Sequence, residues 1–260
     1  AIFNPAAIEH EGTVYLLPRV IKKGYEKKES GIGYKNYVSE IWLAKSKDGK
    51  KFDLIGPVIR PDKKYDRFGC EDPRISKVNE EYFITYTALC YPAYSGRGYR
   101  IGLVHTKDFL SFEKLGTIGP NINDKNAAIF LVNNKVGMLH RVRFEVCITY
   151  FDSLEQLKSC GIDFWSGYLK NLGEYRVLRR RHWWEQKKVG TGVPPIWTEK
   201  GWLLIYHGVD RNRVYRVGAA LLDLNDPQKV IARTREPILE PEMGYEKEGD
   251  VPNVVYPTGA

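Results

Sequence analysis

The chain is poor in the residues and runs that mark several large functional classes. Its 260 residues include only 4 cysteines and 5 histidines. Cys70, Cys90, Cys147 and Cys160 form no C-x-x-C pair and lie in apolar or mixed surroundings. They read as free thiols of a reducing compartment rather than a disulfide framework. No histidine stands at ligand spacing from them, so no metal site is expected. No apolar run approaches the roughly 20 residues that cross a bilayer. The opening Ala1-Ile2-Phe3-Asn4-Pro5 lacks the basic start and apolar stretch of a signal peptide. The expectation is a cytoplasmic protein with no membrane partner. Helical periodicity is also scarce; residues 153–172 are the one stretch that predicts a short helix, expected to cap the mouth of a site.

What the chain does have is aromatic residues, at 13%, and a net charge of +8. The aromatics suit a β core or a sugar-stacking surface. The positive balance suits an anionic partner: nucleic acid, a membrane surface or a small anion such as phosphate. The run Arg179-Arg180-Arg181-His182-Trp183-Trp184 sets basic residues beside stacking aromatics, a nucleic-acid pattern. Its place just ahead of Lys188 favours the rim of a site or packing, and no nucleic-acid partner is expected.

Five short apolar segments, each opened by a polar, Gly or Pro residue, look like one element used repeatedly. They cover residues 2–8, 71–75, 125–130, 192–196 and 253–259. The first four are each followed by a polar turn and a second strand-like run: residues 14–18, 82–87, 136–141 and 202–207. Third runs follow at 41–44, 101–105, 146–150 and 217–222, and outer ones such as 52–55 and 112–115. Four strands per unit, recurring about every 55 to 70 residues, is the signature of a β-propeller. The fold expected is all-β, a five-bladed β-propeller whose last blade is incomplete in this chain. Residues 1–260 would form a single catalytic domain.

If the first strands surround one axis, their leading residues converge on a pocket. Asn4 heads the first, Glu71 and Asp72 the second, Lys125 and Asn126 the third, and Gly192 the fourth. Only the second offers acids, and strand neighbours point to opposite faces, so one carboxylate faces the pocket. Inverting hydrolysis needs two carboxyl groups. One acid without a base fits a nucleophile that arrives already charged, such as phosphate held by cations. The candidates for that cradle are Lys125, Asn126, Arg141, Lys188, His207 and Tyr215. A working general acid must be protonated near neutral pH, which predicts a buried Asp72 with a raised pKa.

Six motifs carry a resemblance. They are Phe3-Asn4-Pro5-Ala6-Ala7, Glu71-Asp72-Pro73-Arg74, Met138-Leu139-His140-Arg141, residues 188–196, Gly201 to Gly208, and Val251-Pro252-Asn253-Val254-Val255-Tyr256-Pro257. In this order and register, from about residue 2 to 260, the chain resembles glycoside hydrolase family 130. The resemblance implies an inverting phosphorylase that cleaves β-mannosides with inorganic phosphate to give α-mannose 1-phosphate. It implies that Asp72 is the general acid, passing its proton through the sugar's 3-hydroxyl. Lys125 or Asn126, Arg141, Lys188, His207 and Tyr215 would hold phosphate, and Asn4, Glu71 and Arg74 would stand near the reacting sugar. No cofactor is implied beyond phosphate as co-substrate; a homo-oligomer is allowed. Hydrolysis of the same bond is the alternative, or a sugar-binding propeller without catalysis. The family often carries an Arg in the strand of Ser39-Glu40-Ile41, where the nearest match here is Glu40.

Overall fold

The polar turns that punctuate the sequence close β-hairpins. Glu11-Gly12 and Asn133-Asn134 place both central residues in the left-handed region (φ 49° and 67°, 49° and 60°). This two-residue turn matches the twist of the strands it joins. The computed structural model describes residues 1–29 and 33–260. These divide into two compact units, Ala1–Lys125 with Thr258–Ala260, and Asn126–Pro257.

The first unit holds β1 (Ile2–His10), β2 (Thr13–Ile21), a small hairpin of β3 (Glu26–Lys27) and β4 (Tyr34–Lys35), β5 (Ser39–Ser46) and β6 (Asp53–Ile59). Strands β1-β2-β5-β6 form one antiparallel sheet. The next four, β7 (Cys70–Val78), β8 (Glu81–Leu89), β9 (Tyr99–Thr106) and β10 (Glu113–Ile118), form a second in sequence order. Leu17, Ile41 and Ile59 from the first sheet pack with Ile75, Ile84, Tyr86 and Val104 from the second. Each such side chain contributes about 1.5–3 kcal/mol by leaving water.

β11 (Asp124–Val132) leads into the second unit, with β12 (Lys135–Val142), β13 (Glu145–Phe151) and β14 (Arg176–Leu178) beside it. α1 (Leu154–Ser159) and α2 (Ile162–Lys170) lie between β13 and β14, within the predicted helical region. Ser153 caps α1 by accepting the Gln156 N–H at 3.2 Å. The other sheet contains β15 (Lys188–Thr191), β16 (Ile196–Thr198), β17 (Gly201–Val209), β18 (Tyr215–Leu222) and β19 (Val230–Arg233). A short α3 (Gly244–Lys247) follows. Leu139, Ile148, Trp184, Leu204 and Tyr206 form this unit's core. The basic-aromatic run is therefore partly packing: Trp184 is fully buried, and Glu185 beside it pairs with Arg233 at 2.7 Å.

Among the described residues the fold is all-β, with four sheets of blade type, two in each unit. The sequence repeat appears as a shared irregularity in the backbone. Asn4, Asp72, Asn126 and Asn253 all adopt left-handed φ, between 48° and 59°. Asn and Asp tolerate this region better than other side chains. At β1 and β7 the residue sits inside a register shift, between Phe3 and Ala6 and between Glu71 and Arg74. These shifts are β-bulges, which re-aim side chains.

Two expected strands differ from their reading. Residues 192–196 are not one strand; the ladder breaks between β15 and β16, which both pair with β17. Gly192 and Val193 donate to the same Ile205 carbonyl, at 3.1 and 3.3 Å, and Pro194-Pro195 have no N–H to continue. Residues 253–259 form no ladder. Val254 makes a single parallel bridge to Tyr215, and Thr258 donates its hydroxyl to the Pro5 carbonyl at 3.0 Å. The four cysteines are not joined in disulfides among the described residues, and Cys70 and Cys147 are buried. Among the described residues no helix is long and apolar enough to cross a membrane.

Candidate active site

The bulge in β7 changes what adjacent acids can do. Regular alternation would send Glu71 and Asp72 to opposite faces, as the sequence reading assumed. With Asp72 at φ 49°, both carboxylates instead reach one guanidinium. Arg19 Nη2 donates to Glu71 Oε1 at 2.5 Å, and Nη1 donates to Asp72 Oδ1 at 3.1 Å. Arg19 projects from the apolar run of β2 and is itself buried. Its guanidinium lies 4.9 Å from the Phe3 ring centre and donates to the Tyr37 hydroxyl at 3.1 Å.

The remaining members of this group complete the pairing. Asn4 Nδ2 donates to Asp72 Oδ1 at 2.9 Å, so two bulge residues of the repeat meet. Arg74, 1% exposed, donates to the Asp72 carbonyl at 2.9 Å and fixes the bulge. Lys125 Nζ lies 3.2 Å from Glu71 Oε2 and 4.0 Å from the Tyr99 ring centre. Glu71 thus has a cation on each oxygen, a poor state for a general base. Asp72 takes both side-chain hydrogen bonds on Oδ1; among the described residues Oδ2 takes none.

The electrostatics correct a second expectation. Burial alone raises the Asp72 pKa, but the Arg19 charge, then Lys125, the Asn4 amide and Arg74 outweigh it. Asp72 is therefore held below the ordinary carboxylate value rather than above it. Burial also opposes the Arg19 charge, and Glu71 and Asp72 more than restore it.

The other expected residues lie in the second unit. Lys188 opens β15, His207 lies on β17 opposite Gly190, and Tyr215 opens β18. Lys188 Nζ lies 2.8 Å from the Tyr215 hydroxyl, and the His207 ring stacks on Tyr215 with centroids 6.1 Å apart. Asn126, 1% exposed, donates from Nδ2 to the Tyr256 hydroxyl at 2.5 Å. Tyr256 in turn lies 4.5 Å from His207, ring centre to ring centre. A Cβ on Gly190 would stand 2.6 Å from His207 Nε2 and 2.7 Å from Asn126 Oδ1, so only glycine lets these two side chains approach. Arg141, on β12 opposite Val146, is half-buried and has no ion-pair partner among the described residues. Lys125 and Asn126 differ in surroundings: the lysine joins Glu71, and the amide joins Tyr256.

Arg19, Tyr37 and Tyr256 are the residues that sequence reasoning missed. A lone arginine inside the apolar run of residues 14–21 was the available signal for the first. Glu40, considered in place of an arginine, accepts from Lys22 at 2.9 Å and from the Trp42 indole at 3.1 Å. No group of three or more metal-ligating side chains exists among the described residues.

A family model described as beta-1,4-mannooligosaccharide phosphorylase matches residues 1–260. The chain belongs to glycoside hydrolase family 130. It is 40% identical to a 1,2-beta-oligomannan phosphorylase of Thermoanaerobacter sp. strain X514, covering 100% of this chain and 81% of that protein. A beta-1,2-mannobiose phosphorylase of the same organism is 38% identical, over 100% and 82% of the two chains. Among solved structures, the Listeria innocua beta-1,2-mannobiose phosphorylase in complex with beta-1,2-mannobiose superposes with a TM-score of 0.81 at 29% identity. That match covers 100% of this chain and 82% of the other. In this chain the acid cluster around Asp72 lies in the first unit and the polar-aromatic set around His207 in the second.

Proposed function

We propose that this protein is an inverting phosphorylase that cleaves β-1,2-linked manno-oligosaccharides with inorganic phosphate. The observation that carries the reading is the pairing of Glu71 with both Arg19 and Lys125. Of the two adjacent acids it leaves Asp72 with an open oxygen, and Glu71 unsuited to activate water. The β-1,2 linkage is supported by the relatives of 38% and 40% identity, both named for it.

In the proposed reaction, a phosphate oxygen forms a bond to C1 of the terminal mannose, opposite the departing glycosidic oxygen. The C1–O bond breaks, its electron pair leaves with the acceptor sugar, and Asp72 supplies the proton that neutralises it. Single displacement turns the β-mannoside into α-mannose 1-phosphate. The proton balance closes through hydrogen phosphate, which enters with a proton that the sugar phosphate dianion no longer carries. An Asp72 held ionised before reaction fits this, since its proton arrives with the reactants.

Asn126, Arg141, Lys188, His207 and Tyr215 are proposed to hold phosphate, with Lys125 adding positive charge beside Glu71. Arg fits phosphate through its fork of paired donors, and Lys serves as a point charge. Asn4 and Glu71 are proposed to line the reacting sugar, and Arg74 to support it through the Asp72 carbonyl it holds. The four sheets and the Asn253 segment are read as parts of a five-bladed propeller in which residues 1–260 act as one domain. Keeping the bond energy as a sugar phosphate suits a cytoplasmic enzyme. The test is incubation with a panel of β-mannosides with and without phosphate, assaying mannose 1-phosphate. Product that requires phosphate supports the reading; free mannose in phosphate-free buffer would replace it with hydrolysis.

A further inference from the structure

Asn126 is buried, yet its amide is only half used. Nδ2 donates to the Tyr256 hydroxyl at 2.5 Å, while Oδ1 is buried without a hydrogen-bond partner. Half a turn about χ2 exchanges the two atoms without changing the side chain's shape. Tyr256 then donates its O–H to Oδ1, and the two N–H bonds of Nδ2 face the side where Gly190 and His207 stand. The surroundings favour that state for an anion. The Gly190 Cα leaves a gap in which His207 Nε2 and the Asn126 amide come together. His207 stacks on Tyr215, whose hydroxyl meets the Lys188 ammonium. An anion oxygen entering this set needs N–H donors from Asn126, not a carbonyl, which would repel it.

We propose that Tyr256 is a positioning residue, whose hydroxyl holds the Asn126 amide with its N–H groups turned toward the phosphate. The residue comes from the extended segment that follows the last sheet, tied to β18 by the Tyr215 N–H donating to Asn253 at 2.9 Å and Val255 N–H donating to Tyr215 at 3.3 Å. The segment therefore serves the anion subsite without forming a strand. This inference rests on the phosphorylase reading and sharpens one of its subsites.

The test measures phosphorolysis of β-1,2-mannobiose by wild type and Tyr256→Phe, varying each substrate at saturating levels of the other. The phosphate KM is expected to rise about tenfold, equivalent to about 1.4 kcal/mol, while the mannobiose KM stays within about twofold. Asn126→Ala raises the phosphate KM by itself, and adding Tyr256→Phe to it produces no further rise. Asn126→Asp takes the place of the alanine variant if the latter does not fold. An unchanged phosphate KM in Tyr256→Phe, a rise in the mannobiose KM instead, or independent effects in the double variant overturns the inference while leaving the phosphorylase reading intact. A wild type that makes no mannose 1-phosphate removes both, and that outcome is seen before any variant is compared.

Discussion

Replacing Arg19 with glutamine removes the cation that donates hydrogen bonds to two buried carboxylates. In the native arrangement Asp72 and Glu71 are 7% and 5% exposed, and Arg19 bonds both. Removing one partner of a buried pair costs about 3–5 kcal/mol, because the remaining charge loses its compensation. With Lys125 still on Glu71 and Asn4 still on Asp72, the lower part of that range applies. At about 2–4 °C per kcal/mol for a chain of this size, the unfolding midpoint at pH 7 falls on the order of 10 °C. The sign of the pH dependence follows from Asp72, whose pKa is depressed in the folded protein. Such a group stabilises above its unfolded pKa of about 3.9 and loses that contribution as pH falls through the folded value. In Arg19→Gln the folded pKa rises, so the carboxyl takes up a proton at higher pH and the penalty shrinks as acid is added. Calorimetric unfolding of both proteins from pH 7 to pH 4 measures this. A loss below about 1 kcal/mol, or one equally large at both ends of the range, would refute the account of Arg19 as the charge that keeps Asp72 ionised.

Asp72→Asn keeps the left-handed bulge and removes the proton, so kcat for phosphorolysis is expected to fall about 10²–10⁴-fold, and the unfolding midpoint at pH 7 falls as well because the buried Arg19 loses one of its two anions. Gly190→Ala drives a methyl between His207 and Asn126; about 1–3 kcal/mol of stability is lost, and the phosphate KM rises in steady-state assays. Glu185→Gln weakens a fully buried acceptor that Tyr206, Arg233 and the N–H groups of Arg181 and His182 share, and chemical denaturation should show a loss of about 2 kcal/mol or more. In the native protein a thiol reagent should label Cys90 and Cys160 well ahead of Cys70 and Cys147, read by mass spectrometry; Cys70 is further protected because burial and the neighbouring Asp66 push its thiol pKa up.

The hairpins were legible because turn chemistry is local: Glu11-Gly12 and Asn133-Asn134 announce their backbone in two residues. The place of Asp72 in the repeat was legible because the slot it fills is occupied by Asn in other repeats, so a carboxyl stands out. Arg19 was not, since its bond to Asp72 spans 53 residues and no local pattern links them. The assumption of regular alternation failed at Glu71 and Asp72 because it presumes a pleat that the bulge interrupts. The direction of the Asp72 shift was also out of reach. It is the outcome of burial against four opposing groups, and their balance depends on distances that a sequence does not contain. At residues 192–196 the two prolines were visible, and a stricter count of N–H donors would have divided that strand in advance.

The recurrent kink at positions 4, 72, 126 and 253 has a consequence for how reactivity is distributed over such a scaffold. An amide and a carboxyl are nearly the same size and tolerate the same twisted backbone. Exchanging one for the other alters charge and proton content while the main chain stays where it is. Each of these four positions is thus a socket that accepts either a neutral hydrogen-bonding group or an acid, and a single substitution decides which of them carries the acid.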